Sequence, residues 1–341
     1  MTRKANLKSK EILQAELEAE DFSRVTLSFY KYVQISQLQE FRDALYDRLM
    51  ELNCRGRIYV AKEGINAQMN VPEPHWQKFD AFIQSLPELT GVPYKVAVEQ
   101  DNKSFIKLIV RIKEKIVADG LDDAAFDPSN TGQYLTGAEM NEYINNPDAV
   151  VVDMRNAYES EIGHFDRAIT PDVDTFREEL EYVTKELSDK KDAPIALYCT
   201  GGIRCEKASA WMKHNGFKNV RHLKGGIIDY ARQVKEEGIE NKFLGKNFVF
   251  DERMGERIGE EVISTCHLCK TNKSDDYYHC KNQACHVLFI GCSDCLDNKK
   301  GYCSQLCRAT DLVPYEWKKP FLSKRKTHKV TKFRKHRLSL K

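Results

Sequence analysis

One cysteine of this chain follows a short apolar segment, in a position where a thiol can react. Residues 194–198 predict a buried parallel strand, Cys199 comes directly after it, and a helix is predicted from Cys205 onward. The residues between Cys199 and Arg204 are Thr200, Gly201, Gly202 and Ile203. Glycines allow such a loop to turn its N–H groups inward, and the start of a helix adds further donors and partial positive charge. Because the thiolate is the reactive form of cysteine, the pattern predicts that Cys199 is a nucleophile and that Arg204 helps to hold the anion it forms.

The length of this loop distinguishes two kinds of anion chemistry. Tyrosine-phosphatase-type sites have one residue more between cysteine and arginine, which makes a cradle wide enough for phosphate. The shorter loop favours a sulfur carried on sulfur, a persulfide, and disfavours a phosphatase. The alternative is that Cys199 is a small core residue and that the glycines only form a turn.

The loop and its surroundings resemble the active loop and flanking strands of rhodanese-type sulfurtransferases. The matching segments are strand 150–154, the Gly-His turn at 163–164, and the last strand with its double glycine at 217–227. The resemblance covers about residues 130–236, where helices and strands alternate as in a parallel sheet. It implies that Asp153 and Arg155 support the loop structurally, with direct catalysis as the alternative, and that His164 makes a structural hydrogen bond.

The first residues of the following helix have two further interpretations. Cys205 either packs in the core or resolves an oxidised Cys199 as a second thiol. Glu206 suits the electrostatics of a helix N-terminus and needs no catalytic explanation.

A separate unit is predicted before this region. Its predicted elements are strand 24–32, helix 37–53 with Ser36 as N-cap, strands 57–61 and 66–71, a helix around 76–83, and strands 94–98 and 105–110. The order β-α-β-β-α-β is the ferredoxin-like plan. Glu63 and Asn66 flank the glycine of the hairpin turn, and the first interpretation is that both are simple turn residues.

Residues 56–72, GRIYVAKEGINAQMNVP, resemble a signature of one rhodanese subfamily, the bacterial tRNA uridine-34 hydroxylases. Members of that family have this N-terminal unit, a central rhodanese domain and a cysteine-bearing C-terminal part. All three features occur here in that order, so the resemblance covers about residues 20–310. The predicted fold class is therefore α/β, with a ferredoxin-like N-terminal domain, a central rhodanese-type parallel-sheet domain and a C-terminal cysteine-rich zinc module.

The predicted boundaries follow from these features. They are a polar N-terminal arm 1–21, the ferredoxin-like domain 22–120, the rhodanese domain 121–240, a connecting hairpin 241–264 with a strand at 248–251, the zinc module 265–312 and a basic tail 313–341.

Eight of the eleven cysteines lie between Cys266 and Cys307, and such clustering in a long chain without a signal peptide indicates metal binding more than disulfides. The spacing predicts two tetrahedral zinc sites. The favoured, cross-braced pairing puts Cys266, Cys269, Cys292 and Cys295 on one ion and Cys280, Cys285, Cys303 and Cys307 on the other. Sequential pairing and an iron–sulfur cluster are the alternatives, and His267, His279 and His286 are candidate substitute ligands. Closed Cys₄ sites leave no position for catalysis, so this module is expected to be structural or a recognition surface.

The formal net charge is only +2, but residues 318–341 carry no acidic residue. The basic tail is expected to attract polyanions, and its candidate nucleic-acid contacts are Lys324, Arg325, Lys326, Arg334, Lys335 and Arg337. An alternative is a solvated tail with no specific partner. No apolar segment approaches the ~20 residues of a membrane span, and the N-terminus lacks the apolar core of a signal peptide, so a cytoplasmic protein is expected.

The resemblance implies an enzyme that hydroxylates carbon 5 of the wobble uridine in tRNA, with molecular oxygen as co-substrate and the anticodon loop as binding partner. No flavin, nicotinamide or haem motif is visible in the sequence. Two routes remain open: the Cys199 thiolate adds at carbon 6, or an oxygen bound to its sulfur is delivered to carbon 5. A plain sulfurtransferase that carries sulfane sulfur on Cys199 is the alternative function, and a non-enzymatic zinc-module adaptor is a third. The sequence leaves the oligomeric state open.

Overall fold

The computed structural model describes residues 8–100, 104–122 and 126–313. They form two compact units. The first comprises the described residues up to Ala157, together with Phe165–Lys242 and Val249–Glu256. The second comprises Tyr158–His164, Phe243–Phe248 and the described residues from Arg257 onward.

The N-terminal elements build one sheet and its helices. They are α1 (Lys10–Glu18), β1 (Arg24–Tyr32), α2 (Leu38–Glu51), β2 (Arg55–Ala61), β3 (Gly64–Pro72), α3 (Trp76–Ser85), β4 (Lys95–Val96) and β5 (Leu108–Ile112). The strand order of this N-terminal sheet is β4-β1-β3-β2-β5, with β3 antiparallel to both neighbours and β5 parallel to β2. The βαββαβ plan predicted from the sequence is thereby confirmed. The predicted N-cap Ser36 is wrong, because α2 starts after Gln37 without a side-chain cap.

Alternation along these strands separates an apolar face from a polar one. The side chains of one face pack against α2 and α3. The core they form includes Leu27, Phe29, Ile58, Val60, Ala67 and Met69 from the strands, and Leu45 and Phe79 from the helices. Since strand side chains alternate, the residues between them lie on the opposite face. That second face carries Ser28, Tyr30, Arg57, Tyr59, Asn66 and Gln68.

The central part of the chain forms a parallel sheet. The elements of this part of the chain are β6 (Gln133–Leu135), α4 (Gly137–Asn145), β7 (Val150–Asp153), α5 (Ala157–Ser160), β8 (Gly163–Phe165), α6 (Phe176–Glu186), β9 (Pro194–Tyr198), α7 (Ile203–His214), β10 (Asn219–Leu223) and α8 (Gly226–Glu237). Strand β8 is not one of the strands of this sheet. The strand order is β6-β10-β9-β7, and all three pairings are parallel. Thr136 caps α4 in a reciprocal capping box with Glu139. Strand β9 lies between β10 and β7 and ends at Tyr198, directly before Cys199.

The remaining elements are short. They are β11 (Phe243–Asn247), β12 (Glu256–Arg257), β13 (Tyr277–His279), β14 (Leu288–Ile290), α9 (Ser293–Lys299) and α10 (Gln305–Asp311). The predicted strand at 248–251 is wrong: the strand in this region is β11, which ends before it. Phe248 and Val249 are buried without joining a sheet, and an apolar segment of this length is equally compatible with a buried loop. None of the helices in the described part of the chain is both long and apolar enough to cross a membrane.

Candidate active site

The loop 199–204, here the Cys199 loop, is held between two neighbouring segments. The N–H of Met154 donates to the carbonyl of Tyr198 at 2.8 Å, and the N–H of Ile227 donates to the carbonyl of Cys199 at 3.0 Å. Gly226 allows this approach, because a Cβ at that position would lie 2.4 Å from the carbonyl oxygen of Cys199. The double glycine noted in the sequence is thus a close-approach point for the Cys199 loop.

Helix α7 begins two residues earlier than predicted, at Ile203 rather than Cys205. Gly202 precedes it in the left-handed region, with φ at 95°, and its N–H donates to Cys199 Sγ at 3.1 Å. The sulfur therefore lies at the N-terminal end of α7, where free backbone N–H groups concentrate.

Cys199 is ionised more easily than an ordinary cysteine. Burial by itself would raise its pKa. The hydrogen bond from the Cys205 thiol, the charge of Arg204 and the backbone N–H groups of Cys205 and Arg204 together outweigh burial and lower the pKa to about 6. Burial and the nearby Cys199 anion raise the pKa of Cys205 well above its usual range, so Cys205 is a thiol hydrogen-bond donor to a Cys199 thiolate.

Asp153 is the last residue of β7, beside Tyr198 of β9, and Arg155 follows it by two residues. Arg155 Nε and Nη2 donate to the two carboxylate oxygens of Asp153 at 2.9 and 2.6 Å, and both side chains are fully buried. The guanidinium carbon of Arg155 lies 5.8 Å from the ring centre of Tyr198, the residue before Cys199. Neither residue of the pair lines the cavity that borders Cys199.

A cavity of about 290 Å³ borders Cys199, Thr200, Gly201, Ile203 and Arg204. This volume is near the lower end of the ~300–1,000 Å³ of small-molecule sites. The opposite wall is the polar face of the N-terminal sheet, with Ser28, Tyr30, Arg57, Tyr59, Asn66, Gln68 and Lys95. We name it the Cys199 cavity.

The strand register arranges this wall in two rows. Lys95, Ser28, Gln68 and Arg57 are cross-strand neighbours in one row, and Tyr30, Asn66 and Tyr59 form the other. None of these residues is an individual functional candidate from the sequence. Arg57, Tyr59, Asn66 and Gln68 lie within the signature 56–72, and polar alternation along the strands, which an ordinary solvent-facing sheet shares, does not distinguish them further.

Glu206 has partners on the N-terminal sheet and on the parallel sheet. Its Oε1 accepts hydrogen bonds from the hydroxyl of Tyr30 at 3.1 Å and of Tyr134 at 2.8 Å. Its Oε2 lies 4.0 Å from His222 Nε2. Glu206 thus links the helix after Cys199 to the N-terminal sheet, beyond the helix-terminus role inferred from sequence.

A second link involves the hairpin turn. Lys207 Nζ contacts both carboxylate oxygens of Glu63, at 2.9 and 2.8 Å, and Asp119 Oδ2 at 2.5 Å. Glu63 Oε1 also accepts a hydrogen bond from the N–H of Ile116 at 2.7 Å. Glu63 is therefore more than a turn residue, because its carboxylate pairs with a buried lysine of α7.

In the second unit, the structure brings the cysteines of the C-terminal module together in two sets. They are Cys266, Cys269, Cys292 and Cys295, and Cys280, Cys285, Cys303 and Cys307, with the sulfur atoms of each set within 4.8 Å of one another. This is the grouping of the cross-braced arrangement.

The sulfur separations suit a metal ion. They include 4.0 Å for Cys269–Cys292, 3.4 Å for Cys280–Cys307 and 3.8 Å for Cys285–Cys303. A tetrahedral zinc with Zn–S bonds of ~2.3 Å requires about 3.8 Å between sulfurs. The two sets can therefore each hold a metal ion.

The histidines of the module have other contacts. His267 Nε2 lies 2.8 Å from Glu161 Oε1, and the N–H of Ile290 donates to its Nδ1 at 3.2 Å. The rings of His279 and His286 stack with their centres 4.3 Å apart. Among the described residues, neither four-cysteine set includes a histidine. The tail residues Lys324, Arg325, Lys326, Arg334, Lys335 and Arg337 lie outside the described residues.

Three family models match the chain. A UPF0176 acylphosphatase like domain matches residues 24–116, a Rhodanese-like domain matches 136–233, and a Rhodanase C-terminal model matches 244–308. Among solved structures, a rhodanese-like domain from Anabaena sp. aligns with 34% of this chain and 80% of its own, at 19% identity and a TM-score of 0.27.

Curated relatives match over nearly the whole length. The tRNA uridine(34) hydroxylase of Leptospira interrogans is 51% identical over 92% of this chain and 85% of its own length. Proteins of the same name from Yersinia pestis and Enterobacter sp. are 52% and 50% identical over 90% of this chain, and the matches cover 87% and 88% of their lengths. Because sequence identity of 50% or more extends over at least 90% of this chain and 85% of each of these relatives, this protein belongs to the tRNA uridine(34) hydroxylase family.

Proposed function

We propose that this protein hydroxylates carbon 5 of uridine 34, the wobble uridine, in tRNA, with molecular oxygen as co-substrate and Cys199 as the catalytic residue. The observation that carries the proposal is the Cys199 cavity. An easily ionised sulfur lies on one wall of this cavity, and a polar and aromatic sheet surface forms the opposite wall. The volume between them is suited to a single base.

The sheet wall supplies the groups that recognise an unstacked base. Tyr30 and Tyr59 offer aromatic rings, and Asn66 and Gln68 offer amides that both donate and accept. Sequence-specific recognition of RNA uses such stacking and hydrogen bonding on bases splayed out of single-stranded loops. The wobble base lies in the anticodon loop, so only a small unstacking cost opposes its entry.

The Cys199 loop supplies the reactive group. With a pKa of about 6, the sulfur is mostly thiolate at neutral pH, and the Gly202 N–H and the Arg204 charge stabilise that anion. Two routes use the thiolate. Addition at carbon 6 of the uracil ring makes carbon 5 electron-rich, whereas a sulfenate formed on Cys199 transfers its oxygen to carbon 5 and returns to the thiol. On either route one atom of O2 enters the product and the other leaves as water, so the proposal includes an external two-electron reductant. A tRNA with 5-fluorouridine at position 34 separates them, because addition at carbon 6 is expected to give a covalent adduct detectable by mass shift.

The two four-cysteine sets are proposed to hold one structural zinc ion each. Zinc in a closed Cys₄ site stabilises the fold around it and leaves no ligand position for substrate. The fit of the sulfur separations supports this assignment, and the chemistry at the uridine is assigned to the Cys199 cavity alone.

A sulfurtransferase is the second candidate, favoured by one observation: the Gly202 N–H points at Cys199 Sγ, which also suits a persulfide anion. The two activities have different products. A sulfurtransferase releases thiocyanate from thiosulfate and cyanide, whereas a hydroxylase makes tRNA heavier by one oxygen atom.

The test is mass spectrometry of tRNA nucleosides from cells that lack the chain, complemented by wild type, Cys199→Ser or Cys54→Ser. Cys54 is a buried cysteine whose pKa burial raises to about 12, so it controls for loss of a thiol as such. We expect 5-hydroxyuridine at position 34 with wild type and Cys54→Ser and its absence with Cys199→Ser. Equal product from Cys199→Ser would refute the assigned role of Cys199, and no product from wild type would refute the proposed function.

A further inference from the structure

Lys95 is a buried cation that projects from the N-terminal sheet into the Cys199 cavity. It lies in the short edge strand β4, opposite Ser28 of β1, and is 6% exposed. Its Cδ would lie 3.9 Å from a Cβ at Gly201, so the side chain reaches the Cys199 loop. Lys95 and Cys199 therefore border the same space from opposite walls.

The ammonium group has unusual surroundings for a buried charge. Its Nζ lies 4.3 Å from the centre of the Tyr30 ring. Within residues 8–100, 104–122 and 126–313, no hydrogen bond or ion pair joins it to another side chain. Burial lowers the pKa of Lys95, and Asp229, Cys199 and Glu206 oppose that shift only through longer-range attraction. A buried charge without a hydrogen-bonded partner is unfavourable, and it is typical of a group that awaits a ligand.

The other cations of the cavity differ from Lys95. Arg253 is paired with Asp251 and Glu256 at 2.6 Å each. Arg204 donates to Thr200 Oγ1 at 3.4 Å and lies 6.0 Å from the ring centre of Phe250. Arg57 is exposed at the edge of the cavity. Lys95 is thus the buried cation that the described contacts leave available to a ligand beside the thiol.

We propose that Lys95 Nζ binds an anionic oxygen of the wobble nucleotide and is a substrate-contacting residue that the N-terminal domain contributes to the Cys199 site. This inference rests on the proposed function. Two oxygens of the substrate have this chemistry. One belongs to a phosphodiester group next to the wobble nucleoside. The other is the 4-oxo oxygen of uracil, which becomes negative if a Cys199 Sγ–C6 bond forms while the C5–C6 π bond breaks and its electron pair delocalises onto C5 and O4.

The test compares Lys95→Met and Lys95→Arg with Lys78→Met, a matched loss of an exposed lysine on α3 that does not line the cavity. Binding of tRNA is measured at several salt concentrations, and the hydroxylation rate is measured in single turnover at saturating tRNA. If the ligand is a phosphate, Lys95→Met weakens tRNA binding and reduces the slope of log affinity against log salt by about one, while the saturated rate is unchanged.

If the ligand is the 4-oxo oxygen, Lys95→Met leaves tRNA affinity unchanged and lowers the saturated rate by about 10- to 100-fold, as for loss of a charged hydrogen bond, and Lys95→Arg restores part of it. The unfolding midpoint of Lys95→Met is expected at or above that of wild type, because a buried cation without a hydrogen-bonded or ion-paired protein partner has been removed. A midpoint several degrees lower, or binding and rate both within about twofold of Lys78→Met, would overturn the assignment of Lys95. Absence of hydroxyuridine with wild type would instead contradict the proposed function.

Discussion

Lys207 Nζ lies 2.9 and 2.8 Å from the two carboxylate oxygens of Glu63. The first residue belongs to the helix that follows Cys199, and the second to the hairpin turn between β2 and β3. Lys207 is 1% exposed, and Asp119 is its other carboxylate partner. The ion cluster Glu63–Lys207–Asp119 therefore joins the N-terminal sheet to the helix that follows the Cys199 loop.

Lys207→Met is expected to destabilise the protein strongly. It removes the cation that Glu63 and the buried Asp119 share and leaves Lys115 beside Asp119. Breaking a buried ion pair costs up to about 3–5 kcal/mol, and the remaining Lys115 pair reduces this cost. Urea unfolding measures the decrease in stability, and Lys78→Met is the control for removal of an exposed lysine. Adding Asp119→Asn to Lys207→Met is expected to recover part of the stability. Additive effects of the two substitutions would contradict the pairing.

The same cluster predicts a dependence of stability on acid pH. Burial opposes the shift, but hydrogen bonds from Lys115 and Lys207 and from the Leu121 N–H lower the pKa of Asp119 below its unfolded value. A group with a depressed folded-state pKa contributes stability above its unfolded pKa of about 4, and that contribution is lost as the pH falls through the folded-state value. Wild type should therefore lose unfolding free energy below about pH 4 more steeply than Asp119→Asn. Identical slopes for the two proteins would contradict this assignment.

Alkylation of Cys199 is expected to follow a pKa near 6. Burial raises this pKa, but the Cys205 thiol, the Arg204 charge and neighbouring N–H groups lower it to about 6 in total. The rate of iodoacetamide labelling, followed on the Cys199 peptide by mass spectrometry, should be half-maximal at that pH. Cys205→Ala should raise the pKa by removing a donor, and Cys205→Ser, which retains a hydroxyl donor, should raise it less. A midpoint near the ~8.5 of free cysteine would exclude a stabilised thiolate.

Metal analysis can establish both the metal and the pairing. We expect two zinc ions per chain from the two four-cysteine sets. In the cross-braced arrangement, Cys266→Ser/Cys292→Ser damages one set and retains one ion, whereas Cys266→Ser/Cys280→Ser damages both sets and retains none. Sequential pairing predicts the reverse, and the same pair of variants also controls for the number of thiols removed.

Deletion of residues 318–341 is expected to weaken tRNA binding and to reduce its salt dependence. The segment carries eleven basic residues and no acidic one, and each phosphate that it neutralises adds about one to the slope of log affinity against log salt. Filter binding at several salt concentrations measures both quantities. Unchanged affinity and slope would show that the basic tail does not bind the tRNA.

The features that the sequence predicts well are local ones. The strand, the glycine loop and the arginine around Cys199 lie within eleven residues, and the spacing of the eight C-terminal cysteines predicts their two groups. The opposite wall of the cavity could not be predicted in this way. Tyr30 and Glu206 are 176 positions apart, and Lys207 and Glu63 are 144 apart. Only the three-dimensional packing reveals that these residues meet, because each looks like an ordinary polar residue on its own strand, turn or helix.

A Cβ at Gly202 would lie 2.9 Å from the hydroxyl of Tyr30. Any larger residue at position 202 would disturb the left-handed backbone whose N–H donates to Cys199 Sγ, and it would also press against the Tyr30 side chain of the N-terminal sheet. The space at Gly202 therefore depends on Tyr30, and the two positions limit each other's size across the N-terminal sheet and the Cys199 loop.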